Sequence, residues 1–307
     1  LTPLLVRGMH GLGDNLHQRA ILRQLMRDRE VFLESSWVSP YHDLIGPKLH
    51  IVRKATRLRT QSKNAQREAS SFWNKPIPRC CEAMQIWYEP REVRAQKSVL
   101  GAMCRAMRTD YATADFRLPV PSAWKESAWA AIGNVTKPIM VYRPLVERTE
   151  WSGCAARNPD HAAYAHLYRA LRERFFVVSI ADLVPGVEWI VGDDVETDLR
   201  FHAGELGFET IAGLISIASL TFCSPGFAVI LSQAVETPVI SVFGCYERAY
   251  SFSGGARFSP YLGIEPINPC DDFKHDAKRS KEIDLADATA RVTLFAEQAA
   301  DYFDRCA

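Results

Sequence analysis

Asp14 stands at the end of a glycine-rich turn, Gly8-Met9-His10-Gly11-Leu12-Gly13-Asp14, directly ahead of a helical pattern. A carboxylate there suits general-base chemistry, which needs it within hydrogen-bond reach of an attacking hydroxyl. Its plain alternative is an N-cap for the helix. A second group suits the handling of negative charge: Arg143, Arg148 and Arg157 follow an apolar run, and guanidinium groups grip phosphate oxygens through paired N–H donors. Each also has a plain reading as a surface arginine. A third is the turn Ser224-Pro225-Gly226, with Phe227 opening the next helical pattern. Backbone N–H groups at such a helix entrance can face a diphosphate. Cys270, Asp271, Asp272 and His275 cluster in sequence, but their spacing is generic and carries no metal assignment.

Charge is unevenly spread. The net charge is +1, yet Arg53 to Arg108 holds thirteen Lys or Arg against four Glu, a local excess of nine. Within it Arg57-Leu58-Arg59-Thr60-Gln61-Ser62-Lys63-Asn64 is basic and polar, and Phe72-Trp73 and Trp87-Tyr88 follow. Basic side chains interleaved with aromatics suit a polyanion with stackable groups. A solvated loop with aromatics packed beneath it is the bland alternative.

These residues need elements to place them. Leu4 to Val6 reads as a buried strand, the glycines as a tight turn, and Asn15 to about Arg27 as a helix. In that helix Leu16, Ile21, Leu22, Leu25 and Met26 share an apolar face, with His17, Arg19 and Arg23 elsewhere. Strands are expected at Val31–Glu34 and Leu49–Val52, with a short helix at Tyr41–Leu44 and a basic helix over 90–108. Three prolines between Leu118 and Pro138 mark a domain junction, giving domains 1–136 and 137–307. Strands then fall at Ile139–Tyr142, Phe175–Ile180, Trp189–Val191, Leu220–Cys223 and Pro238–Gly244, with helices at 160–174 and Phe227–Val235. The alternation predicts an α/β fold of two Rossmann-like domains. A last helix, about Leu285 to Phe303, is expected near the domain junction.

Bulk properties fit. The chain has 307 residues, 47% apolar and 24% charged, as expected of a two-domain globular protein. No apolar run approaches the roughly 20 residues of a membrane span, and no signal-peptide pattern opens the chain. Eight cysteines include no C-x-x-C pair, which reads as reduced thiols and a cytoplasmic location.

The turn fails the dinucleotide fingerprint, because Leu16 occupies the position of the third glycine. That disfavours a nucleotide-dependent oxidoreductase. Gly13-Asp14-Asn15-Leu16-His17 instead resembles the N-terminal turn of the heptosyltransferase family of GT-B glycosyltransferases, in which the Asp is the catalytic base. Gly204 to Gly244 is similar to that family's donor-binding half, without gaps and including the Thr-Pro before the last strand. The resemblance covers both domain signatures but not the middle, Arg53 to Lys137. It implies a GT-B fold with two domains facing a central cleft, inversion at the anomeric carbon, no required metal or other cofactor, and a nucleotide-sugar donor. Asp14 would be the base. Arg143, Arg148, Arg157, Ser224, Gly226 and Phe227 would bind the donor, and Gly13, His17, Arg19, Arg57, Arg59 and Lys63 the acceptor.

The chain departs from the family at Pro225 and Ile230, where members carry an Asp and a His. The family's donor-sugar contact cannot be made by Pro225, so a sugar other than heptose is expected. The acceptor is a polyanion. Lipopolysaccharide core fits, as does another glycan or DNA, since phage enzymes that glycosylate hydroxymethylated bases also use GT-B folds. Trp73 and Trp87, as stackable rings, tilt the reading toward a modified base presented out of the stack. A different class, a non-catalytic nucleic-acid-binding protein on a GT-B scaffold, is kept open by the basic segment.

Overall fold

A computed structural model describes residues 2–149, 155–270 and 281–306. The chain divides into two compact units, Leu1–Pro119 with Tyr250–Gly254, and Val120–Ala249 with Gly255–Ala307.

The first unit contains β1 (Leu4–Arg7), α1 (Leu12–Leu25), β2 (Val31–Ser35), β3 (Leu49–Arg53), α2 (Arg59–Arg67), β4 (Glu82–Gln85), α3 (Pro90–Gln96) and α4 (Val99–Met107). Its strands form one parallel sheet in the order β3-β2-β1-β4. β1 is apolar and central, with Leu4 and Val6 fully buried. Helix α1 begins at Leu12, and Asn15 through Leu22 are all buried, polar residues included. It is therefore an interior helix, wrapped on every side along its middle turns. Where a short helix was expected at Tyr41–Leu44, a single 3-10 turn spans Ser39–Tyr41.

The basic segment is not a loop. Helix α2 buries Gln61, Asn64 and Ala65, and the Trp37 indole N–H donates to Gln61 Oε1 at 3.1 Å. Nor is 90–108 one basic helix. Lys97 takes a left-handed conformation (φ 51°) that ends α3. Ser98 then caps α4 by accepting from the Gly101 N–H at 3.2 Å. Val99 to Cys104 and Met107 are buried, so α4 is a core helix rather than a charged surface one.

The second unit contains α5 (Ser122–Ile132), β5 (Ile139–Tyr142), β6 (Val146–Arg148), α6 (His161–Arg172), β7 (Phe176–Ile180), β8 (Glu188–Ile190), β9 (Leu199–Phe201), α7 (Phe208–Ile217), β10 (Leu220–Cys223), α8 (Phe227–Ala234), β11 (Val239–Val242), β12 (Tyr261–Ile264) and α9 (Leu285–Cys306). Six strands form a parallel sheet in the order β12-β11-β10-β5-β7-β9. β8, anticipated as one of the βαβ strands, instead pairs antiparallel with β6 outside that sheet. Helix α9 lies against α6 and the sheet, burying Ala288, Val292, Ala296 and Ala299.

The division falls after Pro119 rather than at residue 136, because α5 belongs to the second unit. A Cβ on Gly213 of α7 would lie 2.1 Å from the Trp124 carbonyl oxygen of α5, so only glycine permits this helix contact. The Trp124 and Phe208 rings meet edge-on at 5.9 Å beside it. Among the described residues no helix is long and apolar enough to cross a membrane.

Candidate functional site

Open parallel sheets bind ligands at the carboxyl ends of the strands where chain order reverses. In the second unit that point lies between β5 and β10: β5, β7 and β9 run to one edge, and β10, β11 and β12 to the other. Arg143 leaves β5 there, and its backbone N–H donates to the Phe222 carbonyl at 3.0 Å. The Tyr164 hydroxyl donates to the Arg143 carbonyl at 2.6 Å. Tyr142, Tyr164, Tyr168 and Phe222 pack as an aromatic cluster beneath it, with the Tyr142 and Tyr168 rings 4.5 Å apart. The Arg143 guanidinium carbon sits 5.0 Å from the Phe227 ring centroid, and its Nε is sealed from solvent without a hydrogen-bond partner. Burial, and then the charge of Arg148, pull Arg143 below the ordinary arginine range. A guanidinium N–H sealed from water without an acceptor is costly.

Gly226 separates β10 from α8. Its φ of 154° and ψ of −158° lie in a region open essentially to glycine alone. A Cβ there would meet nothing within 4 Å, so the position faces open space. No side chain caps α8, and its first N–H groups carry the positive end of the helix dipole. Arg143, Gly226 and Phe227 thus form one electropositive corner.

Other expected donor residues are less available. Arg148 Nη2 pairs with Glu188 Oε1 at 3.4 Å, and Arg157 Nε with Glu247 Oε2 at 3.2 Å. Ser224 is buried, as are Pro225 and Ile230. Gly244, just beyond β11, is forced by packing: a Cβ would lie 2.3 Å from the Ala156 carbonyl oxygen. The turn bearing Arg157 is thereby pressed onto the end of β11. The Cys270 N–H donates to the Cys245 carbonyl at 2.8 Å, and Asp271, Asp272 and His275 lie outside the described residues.

In the first unit the reversal lies between β1 and β4. The β1–α1 turn there is braced from within. Gln18 Oε1 accepts from the Met9 N–H at 2.6 Å, and Asn15 Nδ2 donates to the Gly11 carbonyl at 2.7 Å. Asn15 Oδ1 in turn accepts from Ser35 Oγ at 2.7 Å and from the Tyr41 hydroxyl at 2.8 Å. The N-cap is Gly11, so Asp14 is not the cap; it is the third residue of α1. Asp14 Oδ1 accepts from the Tyr88 hydroxyl at 3.2 Å. Lys54 Nζ donates to the Gly8 carbonyl behind the turn. Burial, and then the Lys54 charge, lower the pKa of His10.

Two expected acceptor contacts are corrected. Arg19 is fully buried and its donors are used. They reach the carbonyls of Phe116, Pro40 and Arg117, and both oxygens of Asp43. Burial alone would raise the Asp43 carboxyl, but the hydrogen bonds and charge of Arg19 outweigh it and hold the pKa low. His17 is 2% exposed and meets the Phe116 ring edge-on at 5.1 Å. Burial drives its pKa to about 3. Neither side chain can reach an acceptor; both are interior groups of α1. Gly13 stays in the first turn of α1 beside Asp14. Arg57 and Arg59 are exposed and Lys63 half-buried. Arg59, Lys63 and Arg67 share a helix face at intervals of four. Trp73 is not a free platform, since it packs at 4.0 Å on the His50 ring and at 6.0 Å on Phe32. Trp87 is 54% exposed.

No family model matches the sequence, and no curated protein is detectably similar to it. Solved structures are. E. coli ADP-heptose LPS heptosyltransferase II aligns over 97% of this chain and 99% of its own, with 13% identity and a TM-score of 0.61. The family 9 glycosyl transferase of Veillonella parvula aligns over 97% and 98%, with 10% identity and a TM-score of 0.65. E. coli heptosyltransferase WaaC, solved with ADP, aligns over 97% and 100%, with 11% identity and a TM-score of 0.53. The likeness is one of fold: this chain has the GT-B architecture of these heptosyltransferase structures.

Proposed function

We propose that this chain is a glycosyltransferase that moves a sugar from a nucleotide-sugar donor to a hydroxyl on a polyanionic acceptor. The observation that carries the reading is Arg143 at the strand-order reversal, its Nε sealed from solvent without a hydrogen-bond partner and its guanidinium stacked on the first residue of an uncapped helix. Such a corner demands an anion, and a diphosphate supplies one. The fold matches in structures of heptosyltransferases support the same donor class.

The steps follow from the groups present. Asp14 takes the proton of the acceptor hydroxyl as its oxygen attacks the anomeric carbon. Attack opposite the leaving group inverts that carbon. The bond to the diphosphate breaks, and Arg143 with the N–H groups of α8 meets the charge that develops there. No step requires a metal or another cofactor. The acceptor's charge falls to the α2 stripe, Arg59 and Lys63 together with Arg57. Lipopolysaccharide core, another glycan and hydroxymethylated DNA all fit this charge requirement. A cytoplasmic location accords with the absence of a C-x-x-C pair among the eight cysteines.

The test is mass spectrometry after incubation with a panel of nucleotide sugars and candidate acceptors, run on the wild-type chain and on Asp14→Asn. Asn keeps size and shape but cannot accept the proton, so turnover falls by roughly 10² to 10⁴-fold while donor KM stays put. An Asp14→Asn chain that transfers sugar at the wild-type rate removes Asp14 from the chemistry. DNA retention without turnover of any nucleotide sugar would mark a binding protein instead.

A further inference from the structure

We propose that Cys245 and Cys270 are a redox-sensing thiol pair, which a peroxide joins in a reversible disulfide beyond the carboxyl end of β11. Both residues belong to the second unit. In a reducing compartment a disulfide is transient and serves sensing or catalysis, so the pair rests as thiols and records an oxidant when one arrives.

No motif joins these two residues; they lie on either side of β12 in the chain. The fold brings them together. The β11–β12 pairing runs on as the Phe243 N–H donates to the Ile264 carbonyl at 2.8 Å, and the Cys270 N–H then donates to the Cys245 carbonyl at 2.8 Å. A backbone hydrogen bond leaves its two Cα atoms roughly 5–6 Å apart, within the span of a disulfide. The side chains meet as well. Burial first, and then the hydrogen bond to the Cys270 thiol, raise the pKa of Cys245, while the charge of Lys281 works the other way.

The two sulfurs divide the work by exposure. Cys270 is half-buried and open to a small oxidant, whereas Cys245 is fully buried. The Cys270 thiolate attacks one oxygen of hydrogen peroxide; the O–O bond breaks, hydroxide leaves and is protonated to water, and Cys270 becomes a sulfenic acid. The Cys245 sulfur then attacks the sulfenic sulfur. The S–O bond breaks and the departing hydroxyl takes the Cys245 proton as water. Two thiols and one peroxide thus give one disulfide and two waters, with sulfur oxidised and peroxide oxygen reduced. A thiol reductant reverses the step by exchange. Oxidation also releases a contact. The Ala156 carbonyl accepts from the Tyr246 N–H at 3.3 Å and from Cys245 Sγ at 3.7 Å, and a disulfide sulfur has no proton to give. The turn at Ala155–Arg157 loses that tie as residue 270 gains one.

Peptide mapping of the full chain without reductant, after stepwise addition of hydrogen peroxide, tests this. The expected product is a Cys245–Cys270 cross-link that dithiothreitol removes completely. The bond closes the loop that carries β12, so the oxidised chain should melt higher by about 5 °C. Cys270→Ser, at a half-buried position, should abolish both the cross-link and the shift. Cys245→Ala should leave Cys270 as a sulfenic acid, trapped by dimedone; if burial makes that variant unfold, Cys270→Ser and the wild-type map decide alone. Cys270 oxidised beyond the sulfenic acid without a cross-link, Cys270 joined to any other cysteine, or no reaction at either residue overturns the pair. A Cys245–Cys270 link in a chain whose Tm has fallen shows capture from an opened state and overturns the native pairing.

Discussion

The Arg143 guanidinium lies over the Phe227 ring, 5.0 Å from its centroid, and its Nε has no hydrogen-bond partner. An arrangement of this kind costs stability in the free protein and returns it when an anion arrives. Arg143→Met keeps the length of the side chain and removes the charge. It should raise the Tm of the ligand-free chain by about 2–4 °C while weakening nucleoside diphosphate binding roughly 10 to 100-fold. A thermal melt and a calorimetric titration on the same variant check both signs; a lower Tm with unchanged affinity would make Arg143 purely structural.

Gly226 makes a second demand on the same corner. Gly226→Val forces a β-branched residue into a φ of 154° and places its methyl groups in the open space beside the turn. Diphosphate affinity should fall at least tenfold, and by more than for Gly226→Ala. Equal affinity in both variants and the wild type would move the donor elsewhere.

The outer face of α2 should act through charge. Reversing Arg57, Arg59 and Lys63 together should weaken acceptor binding and flatten its dependence on salt concentration. Donor affinity should hold. Acceptor titrations at two ionic strengths read this directly, and insensitivity to both salt and reversal would leave α2 as a solvated surface.

His17 gives a pH dependence of known sign. Its folded pKa is about 3 against an ordinary 6.5, so the unfolded chain binds the extra proton between those values. Its contribution to stability is whole above pH 6.5 and is lost as pH falls toward 3, at up to about 1.4 kcal/mol per pH unit. Urea midpoints from pH 7 to pH 4 should drop less steeply in His17→Leu than in the wild type. Parallel slopes would place the acid sensitivity elsewhere.

What the sequence hid, it hid for physical reasons. β1, its turn and β10–α8–β11 announce themselves through apolar runs and glycines, since buried parallel strands cannot be written in polar residues. β4 and β9 are edge strands without a buried side chain, and no such run marks them. Arg19 and His17, off the apolar face of the helix, were expected at the acceptor from the family resemblance. Here α1 is covered all round, and the same residues became internal ties. Tyr88 carried no motif at all; only the β1–β4 register brings it, 74 positions along the chain, to Asp14. Lys97 breaks a helix that composition alone would continue.

The turn at Gly226 has a consequence for how such a chain drifts over generations. If the donor's phosphates are held there as proposed, the grip is made from main-chain N–H groups and is encoded by no side chain, so nearly every substitution around it would leave it intact. The mutational target shrinks to Gly226, whose conformation other residues resist, and to the arginine behind it. The 10–13% identity against the matched structures goes with a shared fold, as a geometry held by main chain rather than by side chains allows.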